Sequence, residues 1–408
     1  MKIPDQVIYI NEEKCRNSYS CVRVCPVNAI EVKPERAHPV IIADRCIGCG
    51  LCFMACSPRA IEFRDSRSQV KQLLKSGRRT AALIAPSIAS EFDDITDYRK
   101  FVGMIRSLGF SYVHEVSFGV DLVAYEYRKL FEESSGKYYI TSNCPSIVEM
   151  IEKYHPNLVP NLAPLVSPMV ATAMVTRDLY GEDVANVFIG PCIDIKAEAT
   201  RYNDRNLVEA VLTFIEIRQL FDEFEIQEKT VKMAEFDPPY GNWGALYPYP
   251  AGILQAAGIK RDLVSSQVIT ASGSEDVKEA ISDFDHHIDT IRHHFNLFFC
   301  PGCMLGPGMI RHDERFRRRS LVKQYAEKRV EALDKKQWEK DMDRWSKLDL
   351  SNQFRVNDQR IPDPAPEAIT EVMKIIGKDS RAEELNCNAC GYGSCREFAA
   401  TVAKGLAV

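Results

Sequence analysis

The sequence predicts an α/β domain on a parallel sheet, with a small α+β domain before it and a short helical segment after it. From residue 80 onward, buried runs of strand length alternate with amphipathic runs of helix length, the order typical of a parallel sheet. Between residues 15 and 61 a segment is repeated with its cysteines in register, which indicates two copies of one metal-binding unit. The predicted parts are residues 1–75, the α/β domain at 79–313, a helical tail at 314–350, a linker at 351–370 and a cysteine motif at 371–408.

Composition and charge limit the class of protein. With 45% hydrophobic residues, 27% charged residues and a net charge of −5, the chain lacks the basic surface expected for binding nucleic acid or an anionic membrane. No apolar run approaches the roughly 20 residues that span a bilayer, and the first residues have no apolar core of signal-peptide type. We therefore expect a cytoplasmic protein, in which clustered cysteines bind metal more often than they form disulfides.

The N-terminal repeat has a period of 31 residues. "CRNSYSCVRVCPVNAI" (15–30) falls on "CIGCGLCFMACSPRAI" (46–61), and the second copy is a complete C-x2-C-x2-C-x3-C run. That run resembles bacterial two-cluster ferredoxins, in which three cysteines of a run bind one cubane and the fourth binds the other. The resemblance implies one [4Fe–4S] cluster on Cys46, Cys49, Cys52 and Cys25, and a second on Cys15, Cys21 and Cys56. A zinc site or disulfides remain the alternatives.

The first copy departs from this pattern at one position. Ser18 stands where the repeat has Cys49. A hydroxyl loses its proton far less readily than a thiol, so the fourth iron of this cluster would be weakly held. We expect a [3Fe–4S] or a labile [4Fe–4S] cluster on Cys15, Cys21 and Cys56, with Ser18 at the fourth position.

Three predicted strands of the α/β domain run into cysteines. "KYYITSNC" ends at Cys144, "NVFIGPC" ends at Cys192, and "FNLFFCPGC" ends at Cys300 and Cys303, with the glycines of "LGPG" behind them for close backbone approach. Sites in parallel sheets form beyond the carboxyl ends of the strands. The three loops are therefore predicted to converge on one cubane, and the alternative is four buried structural cysteines.

The same segments carry a family resemblance. "TSNCP", "GPCIDIKAEA" and "FFCPGCMLGPG" are similar to the three signature segments of the [FeFe]-hydrogenase large subunit, and "LYPYPAGILQAAGI" (246–259) resembles the stretch that packs over its active site. The resemblance implies a hydrogenase-like α/β domain of two lobes around a cluster held by Cys144, Cys192, Cys300 and Cys303. In the family the last cysteine also bridges to a two-iron centre with CO and cyanide ligands, and "APS" (85–87), with Ser87, resembles the cyanide-contacting loop. The sensory branch of the family is the most similar.

Three departures from the family fall on the chemistry. Asn143 replaces the cysteine that relays protons, and an amide does not exchange protons near neutral pH. Ile195 replaces the lysine that donates to a cyanide, which leaves only Lys196 of the family's pair. Two residues lie between Cys300 and Cys303, where the family has three. Tyr127 lies near the position where an acid is expected. The two-iron centre is therefore expected to be absent or poorly active, and no catalytic residue is assigned.

The C-terminal part carries three more cysteines. Residues 314–347 predict one or two charged helices, and "RIPDPAPEA" (360–368) predicts a linker. "NCNACGYGSC", with Cys387, Cys390 and Cys395, resembles an iron–sulfur module of electron-transport proteins that takes a fourth cysteine further on. We expect a further cluster here, a fourth ligand either beyond residue 408 or elsewhere in the chain, and a signalling domain beyond residue 408.

Three functions fit these patterns. The first is an iron–sulfur redox protein on a hydrogenase-like scaffold, acting as a sensor or electron relay, with electrons passing from the N-terminal clusters through the Cys144 set to the terminal motif. The second is a genuine hydrogenase that is slow or sensory. The third is an electron-transfer subunit of a larger redox complex. All three imply a redox protein as partner, either a ferredoxin or an electron-transfer subunit.

Overall fold

The computed structural model describes residues 6–201, 207–260, 262 and 264–407. The chain divides into two compact units, one formed by residues 1–64, 153–156 and 356–408 and the other by residues 65–152 and 157–355. The first unit thus joins the N-terminal repeat to the C-terminal cysteine motif, although most of the chain separates them in sequence. The helix after the repeat belongs to the second unit, and not to the N-terminal domain predicted to extend to residue 75.

The N-terminal part of the first unit is an α+β fold built twice. Its elements are β1 (Ile8–Ile10), α1 (Ser20–Val24), β2 (Ile30–Glu31), β3 (Val40–Ile41), α2 (Leu51–Ala55) and β4 (Ile61–Phe63). β1 pairs with β4 and β2 pairs with β3, both antiparallel. A shift of 31 residues places α1 on α2, so the repeat found in the sequence is also a structural repeat.

The two copies share their backbone turns but not the residues in them. Left-handed φ angles of 52°, 53° and 47° at Asn17, Tyr19 and Asn28 match 64°, 74° and 54° at Gly48, Gly50 and Arg59. This conformation costs an L-residue about 1–2 kcal/mol and glycine almost nothing. The first copy has lost both glycines and still keeps the turn, which indicates that the loop between Cys15 and Cys21 is held in shape by its surroundings.

The second unit contains a four-stranded parallel sheet in the order β6-β5-β7-β8. Every residue of β5 and β7 is buried, as expected for central parallel strands covered by helices on both faces. The elements of this part are α3 (Arg67–Lys75), β5 (Thr80–Ile84), α4 (Ile88–Glu91), α5 (Tyr98–Ser107), β6 (Tyr112–Glu115), α6 (Ser117–Glu133), α7 (Pro145–Tyr154), α8 (Pro168–Tyr180), β7 (Ala185–Gly190), α9 (Ile195–Arg201), β8 (Ala210–Thr213) and α10 (Phe214–Glu223).

A second lobe of this unit follows in sequence. It contains α11 (Gly252–Ala256), β9 (Val268–Ser272), α12 (Ser274–Ile291) and β10 (His294–Phe298), and β9 pairs with β10 in parallel. The predicted strand "KYYITSNC" is wrong, because only Ile140 forms bridges, one to Leu162 and one to Phe295. The amides of Ile140 and Thr141 donate to Asn161 and Phe295, on different segments, which is too little for a ladder. The two-lobed α/β fold class is otherwise confirmed.

Two helices, α13 (Arg315–Glu331) and α14 (Lys335–Trp345), lie within the segment predicted as a helical tail. In the first unit, α15 (Pro366–Ile375) and α16 (Cys395–Ala403) follow. Buried polar contacts hold α13: Arg318 donates to the carbonyl of Ser90 at 2.8 Å, and the hydroxyl of Tyr325 donates to Glu115. The basic run "RFRRR" is therefore partly structural. None of the described helices combines the length and apolar character needed to cross a bilayer.

Asp121 on α6 connects three parts of the second unit. Its carboxylate accepts hydrogen bonds from the amides of Gly244 (2.7 Å) and Asn242 (2.5 Å) and from the indole nitrogen of Trp338 on α14 (3.1 Å). Burial raises the pKa of Asp121 to about 7. The loop at 241–246 needs glycine here, since a Cβ on Gly244 would lie 2.0 Å from the carbonyl oxygen of Ser117.

Asp121→Asn tests this junction. The asparagine Nδ2 would face N–H donors in place of an acceptor, so we expect the free energy of unfolding of the second unit to fall by about 1–3 kcal/mol in urea denaturation. Exposed Asp283 on α12 provides the control, and Asp283→Asn should change stability by less than about 0.5 kcal/mol. Equal stability of the two variants would contradict a clamping role for Asp121.

Candidate metal centres

Four cysteines line one cavity of the first unit. Cys25, Cys46, Cys49 and Cys52 surround about 330 Å³ of atom-free space, and the rest of the lining is mainly aliphatic. Cys25 precedes β2 in the first copy, whereas the other three belong to the second copy. The structure thus brings together the set that the ferredoxin resemblance implied, with one cysteine exchanged between the copies.

A second cavity of similar size, about 320 Å³, lies in the same unit. Cys15, Ser18, Cys21 and Cys56 line it, and Arg16 also contributes to the wall. Ser18 therefore lines this cavity, as Cys49 lines the other. The two linings differ in the donor atom at this position of the repeat.

Backbone amides point at the sulfurs in the same way in both copies. Ala29 donates to Cys25 Sγ and Ala60 donates to Cys56 Sγ, both at 3.2 Å. These residues are 31 positions apart. Such bonds favour the thiolate, which is the form that binds metal.

The thiols of these sites are hard to ionise without a metal. Burial raises the pKa of Cys49 and Cys52 well above the usual thiol value, and neighbouring cysteines raise both further; burial raises the pKa of Cys21 to about 11. Four thiolates around one space repel each other unless positive charge lies between them. Metal binding supplies that charge and releases the protons. An all-thiolate set fits an iron–sulfur cluster.

In the second unit, four cysteines from three loops come together. Cys144 precedes α7, Cys192 follows β7, and Cys300 and Cys303 follow β10. Burial raises the pKa of Cys144 to about 11 and that of Cys300 to about 12, and the pKa values of Cys192 and Cys303 are raised well above the usual value. The charges of the other three cysteines raise the pKa of Cys192 further, so their sulfurs lie close enough to that of Cys192 to interact electrostatically.

Close backbone contacts bring these loops together. A Cβ on Gly306 would lie 2.4 Å from the carbonyl oxygen of Pro191, and the amide of Gly308 donates to that oxygen at 2.7 Å. The predicted role of "LGPG" in close approach is therefore confirmed, because it seats the β10 loop on the residue before Cys192. The same β10 loop also contacts the Cys144 loop, because the amide of Phe299, directly before Cys300, donates a hydrogen bond to the sulfur of Cys144.

Two buried polar atoms, at positions that the family resemblance singled out, lack partners in the part of the chain that the structure describes. They are Asn143 Oδ1 and Ser87 Oγ. Leaving such an atom unpaired costs about 1–3 kcal/mol, so each position fits a bound polar group. The Ser87 hydroxyl can donate to an acceptor such as cyanide, whereas the Asn143 oxygen can only accept.

Ile195 and Lys196 do not supply a cation to this site. Ile195 packs against the hydrophobic core. The Lys196 ammonium is buried and bonded to Ser66 Oγ (2.8 Å), the carbonyl of Val211 (2.7 Å) and the carboxylate of Glu216 (2.9 Å). Three donors thus meet three partners, and Glu216 is fixed in turn by a capping box with Thr213 at the start of α10.

The sequence prediction missed three residues near the four cysteines. Asp194, which accepts from Ser146 Oγ at 3.0 Å, adds negative charge that raises the pKa of Cys192 and Cys144. The hydroxyl of Tyr247 donates to the carbonyl of Asn143 at 2.7 Å. Burial raises the pKa of Glu198 to about 7. Asp194 and Glu198 lie inside "GPCIDIKAEA" and Tyr247 inside "LYPYP", so the quoted motifs contained the signal.

The terminal cysteines lie at the surface of the first unit. Cys387 and Cys390 are exposed, and Cys395 is partly exposed at the start of α16. None of the fourteen cysteines, all of which lie within the described residues, forms a disulfide. Within the described residues, no three His, Cys, Asp or Glu side chains are close enough together to hold a single metal ion.

Comparisons with known proteins agree with this arrangement. The protein-family model described as "Iron only hydrogenase large subunit, C-terminal domain" matches residues 78–303, more than half of the chain. A 4Fe-4S dicluster domain matches residues 7–57, and a model for an Fe-S cluster segment matches residues 383–408. The chain therefore belongs to the iron-only, or [FeFe], hydrogenase large-subunit family, and its matched domains and cysteines support iron–sulfur clusters, including the 4Fe-4S type.

Individual relatives are distant. Iron hydrogenase 1 of Clostridium pasteurianum is 24% identical over 275 residues, 59% of this chain and 48% of that protein. A "Probable cytosolic Fe-S cluster assembly factor" of Drosophila erecta is 26% identical over 163 residues, 36% of this chain and 33% of that protein. The chain thus spans half or less of these curated relatives.

A solved structure shares the fold. A variant of [FeFe]-hydrogenase HydA1 from Chlamydomonas reinhardtii superposes with a TM-score of 0.57 at 17% identity, covering 72% of this chain and 99% of that one.

Lys196→Ala tests the structural role of this lysine. Removing the cation leaves Glu216 buried without its counter-charge, so the free energy of unfolding should fall by about 3–5 kcal/mol in urea. Lys75→Ala, at the exposed end of α3, is the matched control and should change stability by less than about 0.5 kcal/mol. A Lys196→Ala protein of wild-type stability would show that the ion pair is not needed for folding.

Proposed function

We propose that this protein is an iron–sulfur sensor or electron relay on a hydrogenase scaffold, similar to the sensory branch of the family, in which the two-iron centre is absent or turns over slowly. The observation that carries the proposal is the pair of changes beside the four cysteines. Position 143 holds an amide, and position 195 holds an aliphatic side chain while the remaining lysine is bonded to Glu216.

In this proposal Cys144, Cys192, Cys300 and Cys303 hold a [4Fe–4S] cluster. Their mutual approach and their raised pKa values support a bound group that neutralises four thiolates. The cluster supplies one-electron chemistry when bound. The contacts of Pro191 and Phe299 fix the loops that carry these cysteines.

The groups beside Asn143 keep their protons at neutral pH. Burial raises the pKa of Tyr247 well above its usual value and that of Tyr127 to about 12, and the Tyr127 hydroxyl is bonded to Ser142. Phenols with such pKa values donate hydrogen bonds but do not act as acids or bases near pH 7. Fast proton delivery through position 143 is therefore not expected.

A slow hydrogenase is the second candidate, and Glu198 favours it. This buried carboxyl has its pKa raised to about 7 by burial, and its charge acts on both Tyr127 and Tyr247. It is the group through which protons would reach the site if the two-iron centre is present.

The first unit would exchange electrons with a partner. We propose a [4Fe–4S] cluster on Cys25, Cys46, Cys49 and Cys52, and a [3Fe–4S] or labile cluster on Cys15, Cys21 and Cys56 beside Ser18. A ferredoxin or an electron-transfer subunit, in the cytoplasm, is the proposed partner. An iron–sulfur relative supports this, since a heterodisulfide reductase iron-sulfur subunit of Methanocaldococcus jannaschii is 32% identical over 79 residues, 15% of this chain and 12% of that protein.

Infrared spectra and iron counts test the main proposal. Both proteins are expressed with the hydrogenase maturation machinery. The Cys192→Ala variant should bind one cubane less than the wild type. The wild type should show weak or no infrared bands of bound CO and cyanide. In Asn143→Cys, which restores a proton-exchanging thiol, any hydrogen turnover should rise, whereas Asn143→Ser should leave it low. Strong CO and cyanide bands together with rapid hydrogen evolution by the wild type would refute the proposal in favour of the hydrogenase.

Ser18→Cys tests the weak corner of the N-terminal site. A fourth thiolate should convert the cluster to a stable [4Fe–4S] form, so the electron paramagnetic resonance (EPR) signal of an oxidised [3Fe–4S] cluster should disappear and the iron content should rise. Ser68→Cys, at an exposed position of α3 and outside the cavity lining, is the control and should leave the signal unchanged. A wild type with two ordinary, stable cubanes in this unit would contradict the prediction.

A further inference from the structure

We propose that Lys153 and Arg45 are positioning residues that place two positive charges behind the first cavity of the first unit and so make its cluster easier to reduce. The four cysteines around this cavity are called the Cys25 set. The inference deepens the proposed function, on which it rests for the presence of a [4Fe–4S] cluster in this set, by naming the residues that tune it.

The cavity itself has the chemistry of a cluster site but no cation in its wall. Four cysteines surround about 330 Å³, and among the described residues that line the space there is no lysine or arginine. The amides of Ala29 and Gly48 donate to Cys25 Sγ at 3.2 Å and to Cys46 Sγ at 3.4 Å. Any cation that acts on this site therefore acts from behind the lining.

The first such cation is a buried ammonium behind Cys46. Lys153, near the end of α7, belongs to the first unit and is only 7% exposed. Its Nζ donates to the carbonyl oxygen of Cys46 at 2.6 Å. A positive charge in a poorly solvated place is weakly screened, and it favours the state of a neighbouring group that carries one more electron.

The second cation lies behind the other end of the set. Arg45, directly before Cys46, donates to the carbonyl oxygen of Val27 at 3.0 Å. Val27 lines the cavity and lies two residues after Cys25. The two cations thus bond to the backbone beside cysteines from both copies of the repeat.

Contacts within the first unit fix both cations. The Tyr154 hydroxyl donates to the carbonyl of Arg45 at 2.6 Å, and the Arg45 guanidinium carbon lies 5.4 Å from the centre of the Tyr154 ring. Gln359 joins the two residues, since its amide donates to the carbonyl of Lys153 at 2.9 Å and its carbonyl accepts from the Arg45 guanidinium. Both charges are therefore held at fixed positions.

The repeat offers a comparison for the lysine. Cys15 is the counterpart of Cys46, and its carbonyl oxygen accepts from the guanidinium of Arg16 at 3.1 Å. Arg16 is exposed and adjacent in sequence, whereas Lys153 is buried and comes from a distant part of the chain. Water and salt screen an exposed charge, so only the Cys25 set is under the influence of a buried cation at this carbonyl.

A redox titration of the full chain, followed by EPR, tests the charge effect. Dithionite is the reductant and supplies one electron per cluster, and the signal of the Cys25 set is identified by its loss in Cys49→Ala. Lys153→Gln keeps a donor for the Cys46 carbonyl but removes the charge. At the wild-type midpoint potential, its ratio of reduced to oxidised cluster should fall about tenfold, which is about 59 mV for a one-electron couple. Lys153→Arg keeps the charge and should stay near the wild-type ratio.

Tyr154→Phe is the matched control, because it removes a neighbouring hydrogen bond and keeps every charge, and it should leave the ratio unchanged. Arg45→Gln should lower the ratio in the same direction, and it provides a second test if Lys153→Gln does not retain the cluster, which iron content shows.

An unchanged ratio in Lys153→Gln or Arg45→Gln at full iron content would overturn the proposal, and so would an equal fall in Tyr154→Phe or Lys153→Arg. The proposed function fails separately, through a wild type that lacks the Cys49-dependent signal or through the infrared spectrum.

Discussion

The structure depends on the repulsion between thiolates that are forced into one buried space. In the second unit, three loops carry Cys144, Cys192, Cys300 and Cys303 to one place, and burial raises the pKa of all four thiols. The charges of neighbouring cysteines raise the pKa further for the last three. Such an arrangement is unfavourable for free anions and becomes favourable when a cationic cluster lies between them. Gly306 and Gly308, which pack against Pro191, and the amide of Phe299, which hydrogen-bonds Cys144, support that arrangement.

Much of the fold could be predicted from the alternation of buried strands and amphipathic helices, and the helical tail from its charged, helix-forming composition. The segment before Cys144 could not, because an apolar run beside a second lobe looks like a sheet strand while its amides bond to two different segments. Local pattern carries no information on which lobe a strand joins. For the same reason the separate pairing of β9 with β10 was not visible in the sequence.

The candidate sites show a similar division. The resemblance to two-cluster ferredoxins grouped the N-terminal cysteines as the two cavities group them. The surroundings of the Cys144 set were harder to predict, since the partner of Lys196 is Glu216 on another helix and Tyr247 is distant in sequence. Side-chain partners set by tertiary packing leave only weak traces in a single sequence.

The hydrogen bond from Trp338 to Asp121 has a consequence for how this fold can be divided. The family match ends at residue 303, yet α6 and the loop at 241–246 depend on a carboxylate that is completed by a side chain well beyond that point. Arg318 likewise satisfies the carbonyl of Ser90 from outside the matched segment. The segment that matches the family model is thus shorter than the segment whose side chains hold the fold together. A gene fusion that joined a foreign domain directly after Cys303 would remove the helices that carry Trp338 and Arg318, and with them these hydrogen bonds.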